Sequence, residues 1–484
     1  MPDTVSTSAA AAPGLIDRAL RRVTTLWRDM AASVSGAEED SFATRMRACL
    51  DARGGEVSAR SRAAGLAQAY LVADAAERGE FLRALAGFDS DAVAVAAAWE
   101  RVAAAKDPAE RARAKAGLRR VLEPPRLKLL TQFTIIPDGV KFLVDLRTDL
   151  VGLMADDPML QALEADLKGL LASWFDVGFL ELRRIDWSSP AALLEKLVGY
   201  EAVHRIRTWR DLKNRLDSDR RCYAFFHPRM PDEPLIFVEI ALVKGMADSV
   251  QGLLDEKAPV LDPREANTAV FYSINNCQRG LDGISFGNFL IKRVVEVLGA
   301  EFGTLDCFAT LSPIPGFRRW LETTLAAPDG ALLTEEEASA LRTAATPSAE
   351  SPPHGVQSVT IAEPAADTLR RVLQRRPPGR EDALGKVLEP ILMRACARYL
   401  LAEKGRRSNR ALDPVAHFHL SNGARVERLN WRADTSEKGI RESFGLMVNY
   451  RYDPAKIEDY HEEYAGEGRR AASTAVRKLA RGFV

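Results

Sequence analysis

Apolar positions recur at helical spacing through the first third of the chain. Leu15, Ile16, Ala19, Leu20, Val23 and Leu26 return close to every 3.6 residues, which predicts a helix over 14–31. Asp107-Pro108-Ala109-Glu110 reads as a helix start, with a carboxylate N-cap, proline at the first helical position and an acid at the third. Leu118, Val121 and Leu122 follow on one face, and Pro124-Pro125 stops that helix. Two more helices are expected over 140–155 and 158–172. Alanine is the best helix former, with leucine and arginine close behind. The Ala-, Leu- and Arg-rich stretch from about 12 to 172 therefore predicts a bundle of six to eight helices.

Near residue 175 the periodicity shortens. Phe179 to Ile185 alternates like a strand, and Ser188-Ser189-Pro190 opens a helix through Val198. Pro234 to Val243 is rich in β-branched residues and reads as a buried strand, with further strands over 268–274 and 304–311. Phe286 to Leu298 carries one apolar stripe at helical spacing. Residues 344–358 are small, polar and proline-rich, which predicts a flexible loop. A helix returns over 382–404. Val415 to Leu420 reads as a strand, and Asn422-Gly423 after it as a hairpin turn. The last basic stretch, 467–480, reads as a solvated helix. The division expected is a disordered N-terminus over 1–12, an all-α domain over 13–172 and an α/β domain over 173–484, an α+β chain as a whole.

Composition narrows the function. At 484 residues the chain is long enough for two to four domains of about 100–200 residues. Lys plus Arg and Asp plus Glu each number 67, so the formal net charge is zero. A general nucleic-acid binder needs a basic surplus to neutralise phosphates, and none is present. The five cysteines form no CxxC pair, and the six histidines form no HExxH, so no metal site is signalled. The sparse, odd cysteine set suits reduced thiols. Residues 2–13 do not read as a secretory signal, and no uncharged apolar run reaches the roughly 18 residues of a membrane span. A cytoplasmic protein with no membrane partner is expected.

Three segments could carry chemistry. Cys277 to Asn288 (CQRGLDGISFGN) follows a strand and precedes a helix; free N–H groups at such a junction suit an anion, with Lys292 and Arg293 close by. Its glycine spacing is neither GxGxxG nor a Walker A motif, and an ordinary strand–turn–helix connection is the alternative. Ser312, in Leu311-Ser312-Pro313-Ile314-Pro315-Gly316-Phe317, sits where two prolines stiffen the chain; a structural Ser-Pro turn is the alternative. His417 and His419 would share a strand face, more economically as a general acid with a neighbour than as metal ligands; one surface and one core histidine is the alternative. Tyr450 and Tyr452 read as packing groups.

Taken together, FFHPRMPDEPLIFVEIAL, VFYSINNCQRGLDGISFGNFLIKRVVEVL, FATLSPIPGFRRWL, RACARYLLAEK, LDPVAHFHLSNGARVERLNW and GLMVNYRYD resemble the malonyl-CoA decarboxylase family, over most of 175–455 and in the family's order. The resemblance implies a helical oligomerisation domain followed by a catalytic part like the GNAT acetyltransferases. It also implies a homotetramer built as a dimer of dimers, and conversion of malonyl-CoA to acetyl-CoA and carbon dioxide without an organic cofactor. Carried over residue by residue, it places Asp282, Gly283, Ile284, Ser285, Phe286, Gly287 and Asn288 along the malonyl-CoA site. It makes Ser312 and His419 catalytic and Tyr452 a supporting group. Animal-type members have an acid at the position of Ser285 and asparagine at that of His417, so His417 receives no catalytic role. The alternative on the same scaffold is a CoA-dependent acyltransferase; from a different class, the alternative is a non-enzymatic helical scaffold.

Overall fold

A computed structural model of the chain describes residue 27 and residues 41–51, 55–284, 290–327, 332–345, 364–374, 383–405 and 409–482. The expected disordered 1–12 segment, the helix over 14–31 apart from Trp27, and residues 346–358 of the expected loop lie outside the described residues. The helix Glu335–Ala345 runs through 344 and 345, so the loop begins later than its composition implied.

The first part is helical. Phe42–Leu50, Glu56–Val72, Ala75–Ala86, Ala92–Ala104, Pro108–Leu122, Pro125–Phe133, Gly139–Leu153 and Pro158–Trp174 are α-helices. Aspartate starts several of them. Asp107 accepts from the Glu110 N–H at 2.8 Å with Pro108 at the first position, and Asp157 with Pro158 repeats the device. The Glu110 carboxylate reaches the Lys106 N–H rather than the cap residue's own, so the start is a variant of the capping box. Leu130, Leu143, Leu146, Leu150, Leu163 and Leu167 are fully buried, which is what their helical spacing predicts. The pair Ala92–Ala104 and Pro108–Leu122 differs: it buries only Ala98 and leaves Trp99 61% exposed.

Among the described residues, the second part is built on a mixed sheet of eight strands: β1 Glu181–Ile185, β2 Arg220–His227, β3 Met230–Val243, β4 Thr268–Asn276, β5 Cys307–Thr310, β6 Ser312–Pro313, β7 Arg425–Asn430 and β8 Met447–Tyr452. The pairs are antiparallel except β4 with β5. β5 and β6 are one run interrupted at Leu311. Phe308 pairs Tyr452 and Ser312 pairs Val448 in a single register, so both segments lie along the same edge of β8, whose other edge carries β7. The two-residue period of a strand therefore sets Thr310 and Ser312 on one face, together with Tyr450 and Tyr452 of β8. Helical and sheet residues share one hydrophobic cluster, in which Leu143 and Leu167 join Phe271 and Tyr452.

Three sequence expectations are corrected. Val415 to Leu420 is not a strand: Pro414–Ser421 is an α-helix, because Asp413 caps it, accepting from the Val415 and Ala416 N–H groups at 3.0 and 2.9 Å, and Pro414 takes the first position. Asn422-Gly423 is not a hairpin turn. It ends that helix, and Gly423 adopts φ 76°, the left-handed conformation that glycine tolerates. The 467–480 stretch is not one helix: Ile457–Glu467 stops at Gly468, φ 70°, and a separate helix spans Thr474–Leu479.

Candidate active site

Ser312 lies in β6, held extended by the proline that follows it and by pairing with β8. It is 5% exposed. Its hydroxyl donates to Thr310 Oγ1 at 2.8 Å and lies 3.0 Å from His419 Nε2. His419 comes from the capped helix Pro414–Ser421 laid across the same sheet face. Its other ring nitrogen, Nδ1, lies 2.8 Å from the Tyr452 hydroxyl, and its ring stacks on Tyr450 at 4.4 Å between centroids. Two strands and a helix thus bring three of the sequence candidates into one hydrogen-bonded row.

On a helix, residues two apart point to nearly opposite sides. His419 is therefore buried against the sheet, whereas half-buried His417 faces Tyr464 and Ser421, at 2.9 and 3.2 Å. The expected shared face does not exist. Burial pushes the His419 imidazole down to about 3, so it is neutral near pH 7. Burial likewise raises the Tyr450 and Tyr452 phenols well above their ordinary value, so both stay protonated.

Several positioning groups were not singled out from the sequence. Asp413 is fully buried and does more than cap the histidine helix. Its carboxylate also accepts from the Tyr399 hydroxyl at 3.2 Å and from the Gly316 backbone N–H. It thereby joins the turn after Ser312 to the helix bearing His419. Burial raises its pKa, opposed by these donors. Gly316 is required by closeness: a Cβ there would stand 2.2 Å from the Tyr399 hydroxyl. Thr310, also fully buried, accepts from the Tyr450 N–H at 3.1 Å, and its carbonyl accepts from Asn449 Nδ2 at 2.7 Å. The Asp-Pro dipeptide at 413–414 repeats the signal at 107–108 and 157–158, and would have marked the helix.

The glycine turn lies against the helical part. A Cβ on Gly280 would meet the Val144 carbonyl oxygen at 1.8 Å. Arg147, 3% exposed, donates to the Gly280 and Asp282 carbonyls at 2.7 and 3.0 Å and pairs with Glu164 at 2.6 Å. Gly283 has φ 75°. Ser285, Phe286, Gly287 and Asn288 lie outside the described residues. Lys292 pairs with Glu458 at 2.7 Å and Arg293 with Glu296 at 3.2 Å, so both cations have local partners. Among the described residues, no group of three or more His, Cys, Asp or Glu side chains could hold a metal ion. Within the same residues, no helix is long and apolar enough to cross a membrane.

The chain is similar to known proteins. Residues 178–483 match the family model for the malonyl-CoA decarboxylase C-terminal domain, and residues 88–175 the model for the N-terminal domain. The mitochondrial malonyl-CoA decarboxylase of Mus musculus is 38% identical over 429 residues, 85% of this chain and 83% of that protein. The mitochondrial enzyme of Anser anser anser is 41% identical over 335 residues; the match spans 68% of this chain and 64% of the goose protein, just under two thirds of its length. Crystal structures of malonyl-CoA decarboxylase from Agrobacterium vitis and Rhodopseudomonas palustris superpose with TM-scores of 0.79 and 0.76 at 40% and 41% identity. Each comparison covers 90% of this chain and nearly all of the other, 99% and 98%.

Proposed function

The chain belongs to the malonyl-CoA decarboxylase family, and from that membership we propose that it converts malonyl-CoA to acetyl-CoA and carbon dioxide at the Ser312–His419 pair. The observation that carries the site is the 3.0 Å contact between Ser312 Oγ and His419 Nε2, made between a strand and a helix by two of the segments that carry the resemblance. Malonyl-CoA holds its own electron sink. As the bond from the α-carbon to the carboxylate breaks, its electron pair passes into the thioester carbonyl, giving an enolate and carbon dioxide. A proton on the α-carbon then completes acetyl-CoA.

The protein has three tasks in this reaction. It holds the carboxylate out of the thioester plane, so that the breaking bond overlaps the carbonyl. It stabilises the enolate oxygen with fixed donors in a dry site. It delivers a proton before carbon dioxide is recaptured. Ser312 is assigned the first task and His419, with Tyr452 hydrogen-bonded behind it, the third. No metal or organic cofactor enters these steps, since the thioester does the work of one. The substrate's CoA moiety is assigned to the turn from Asp282 to Asn288. Support comes from its place after β4, beside the one parallel strand pair among the described residues. The catalytic part is read as GNAT-like on the same ground.

The assembly proposed is a homotetramer, a dimer of dimers. It is supported by the helices Ala92–Ala104 and Pro108–Leu122, which expose Val93, Trp99 and Leu122. Sedimentation as a monomer at micromolar concentration would contradict it. The compartment proposed is the cytoplasm, on the five free cysteines. The goose and mouse relatives are named mitochondrial, and fractionation of cells carrying the tagged chain separates the two. The deciding assay for the reaction is carbon dioxide release from malonyl-CoA by the purified chain with no acyl acceptor present. Release only on adding an amine or alcohol would indicate an acyltransferase instead.

A further inference from the structure

The hydrogen bonds around Ser312 have a direction, and that direction constrains the imidazole. A serine hydroxyl has one proton. Ser312 gives it to Thr310 Oγ1 at 2.8 Å. In its 3.0 Å contact with His419 Nε2, Ser312 is then left to accept, so the hydrogen sits on Nε2. A neutral imidazole has one N–H, so Nδ1 is bare. It accepts from the Tyr452 hydroxyl at 2.8 Å. The protons run one way: Tyr452 to His419, His419 to Ser312, Ser312 to Thr310.

We propose that Thr310 is a positioning residue that sets the tautomer of His419: by taking the Ser312 proton, it keeps Nε2–H turned toward the reacting site. Thr310 is suited to this because it is fully buried and hydrogen-bonded through both its hydroxyl and its carbonyl. Its hydroxyl oxygen also accepts from the Tyr450 N–H, and its carbonyl is held by Asn449. The opposite arrangement, Ser312 donating to a bare Nε2, would make His419 a base and Ser312 a nucleophile. The row directed from Ser312 to Thr310 instead presents a donor. Resting on the decarboxylase reading, that is the useful polarity: the α-carbon needs a proton, and a donor rather than a base at Nε2 suits its delivery.

The experiment is NMR on the full chain with 15N-labelled histidine, His419 being the signal lost in His419→Gln. The expected result is a protonated Nε2 and a bare Nδ1 in the unsubstituted protein. Thr310→Val should move His419 toward the Nδ1–H form. It should also lower kcat about tenfold with KM changed less than about twofold. Thr310→Ser, which keeps the hydroxyl, should restore both. A proton on Nδ1 in the unsubstituted protein overturns the proposal, and that reading survives even if Thr310→Val fails to fold. A folded Thr310→Val that retains Nε2–H overturns it at any kcat. The tautomer is read without turnover, so a chain that does not decarboxylate malonyl-CoA defeats the reaction assignment and leaves this test standing.

Discussion

Ser312 Oγ lies 3.0 Å from His419 Nε2 although 107 positions separate the two residues in the chain. The contact depends on a strand paired with β8, a capped helix and one buried aspartate. If the pair carries the reaction, Ser312→Ala and His419→Asn should each lower kcat by a factor on the order of 10² or more. The double variant should lose little beyond the worse single one, because the two groups act as a unit. Steady-state assays with circular dichroism on the same samples check this; near-unchanged turnover in both single variants would sink the residue assignment.

Asp413→Ala removes the acceptor for the first turn of the histidine helix, for Tyr399 and for Gly316 at once. A lost cap and stranded buried donors cost about 1–3 kcal/mol. Urea unfolding should show that loss, and kcat should fall more than KM rises, since Ser312 and His419 lose their common anchor. Full activity at reduced stability would assign Asp413 to the fold alone.

Gly316→Ala should impair turnover because its Cβ would stand 2.2 Å from the Tyr399 hydroxyl. Tyr399→Phe deletes that oxygen. The double variant should therefore recover part of the activity lost in Gly316→Ala, and a kinetic double-mutant cycle measures the recovery. No recovery would mean that the clash is not what the substitution does.

Arg147 ties the helical part to the glycine turn through the Gly280 and Asp282 carbonyls and is balanced by Glu164. Arg147→Met leaves a poorly solvated carboxylate, and breaking a buried pair costs about 3–5 kcal/mol. Arg147→Met with Glu164→Gln should regain part of that stability. Both should raise KM for malonyl-CoA more than they lower kcat, because the turn assigned to the CoA moiety has lost its backing.

Acid should destabilise the chain partly through His419. Folding lowers its pKa from 6.5 to about 3, so between these values the unfolded chain binds the extra proton and the folded chain does not. The stabilisation is complete above pH 6.5 and is lost as pH falls toward 3, at up to about 1.4 kcal/mol per pH unit. Denaturant unfolding at pH 7 and pH 5 should show a smaller difference for His419→Asn than for the unsubstituted chain. Equal differences would mean that the imidazole is not held neutral.

Local signals were legible wherever one element decides its own form. Asp107-Pro108 and Pro158 start helices as their residue types require, and buried β3 follows from its β-branched run. Ser312, His419 and Tyr452 were identified through the family motifs. The run from Val415 to Leu420 was misread because six mostly apolar residues do not distinguish a period of 2 from one of 3.6. Only the cap at Asp413 decides it, and that cap is itself secured by Tyr399 and Gly316 from elsewhere in the chain.

By itself the sequence determined the chemical inventory, the succession of helices and strands over most of the chain, and the family. Tertiary structure decided which side of the helix His419 occupies, that His417 faces away, and that Thr310 receives the Ser312 proton. The reason is physical. Helix caps and apolar periods act over a few residues and are written in neighbouring positions. The polarity of a hydrogen-bond row depends on which donors and acceptors are packed together, and here those come from β5, β6, β8 and a helix that meet only in the folded chain.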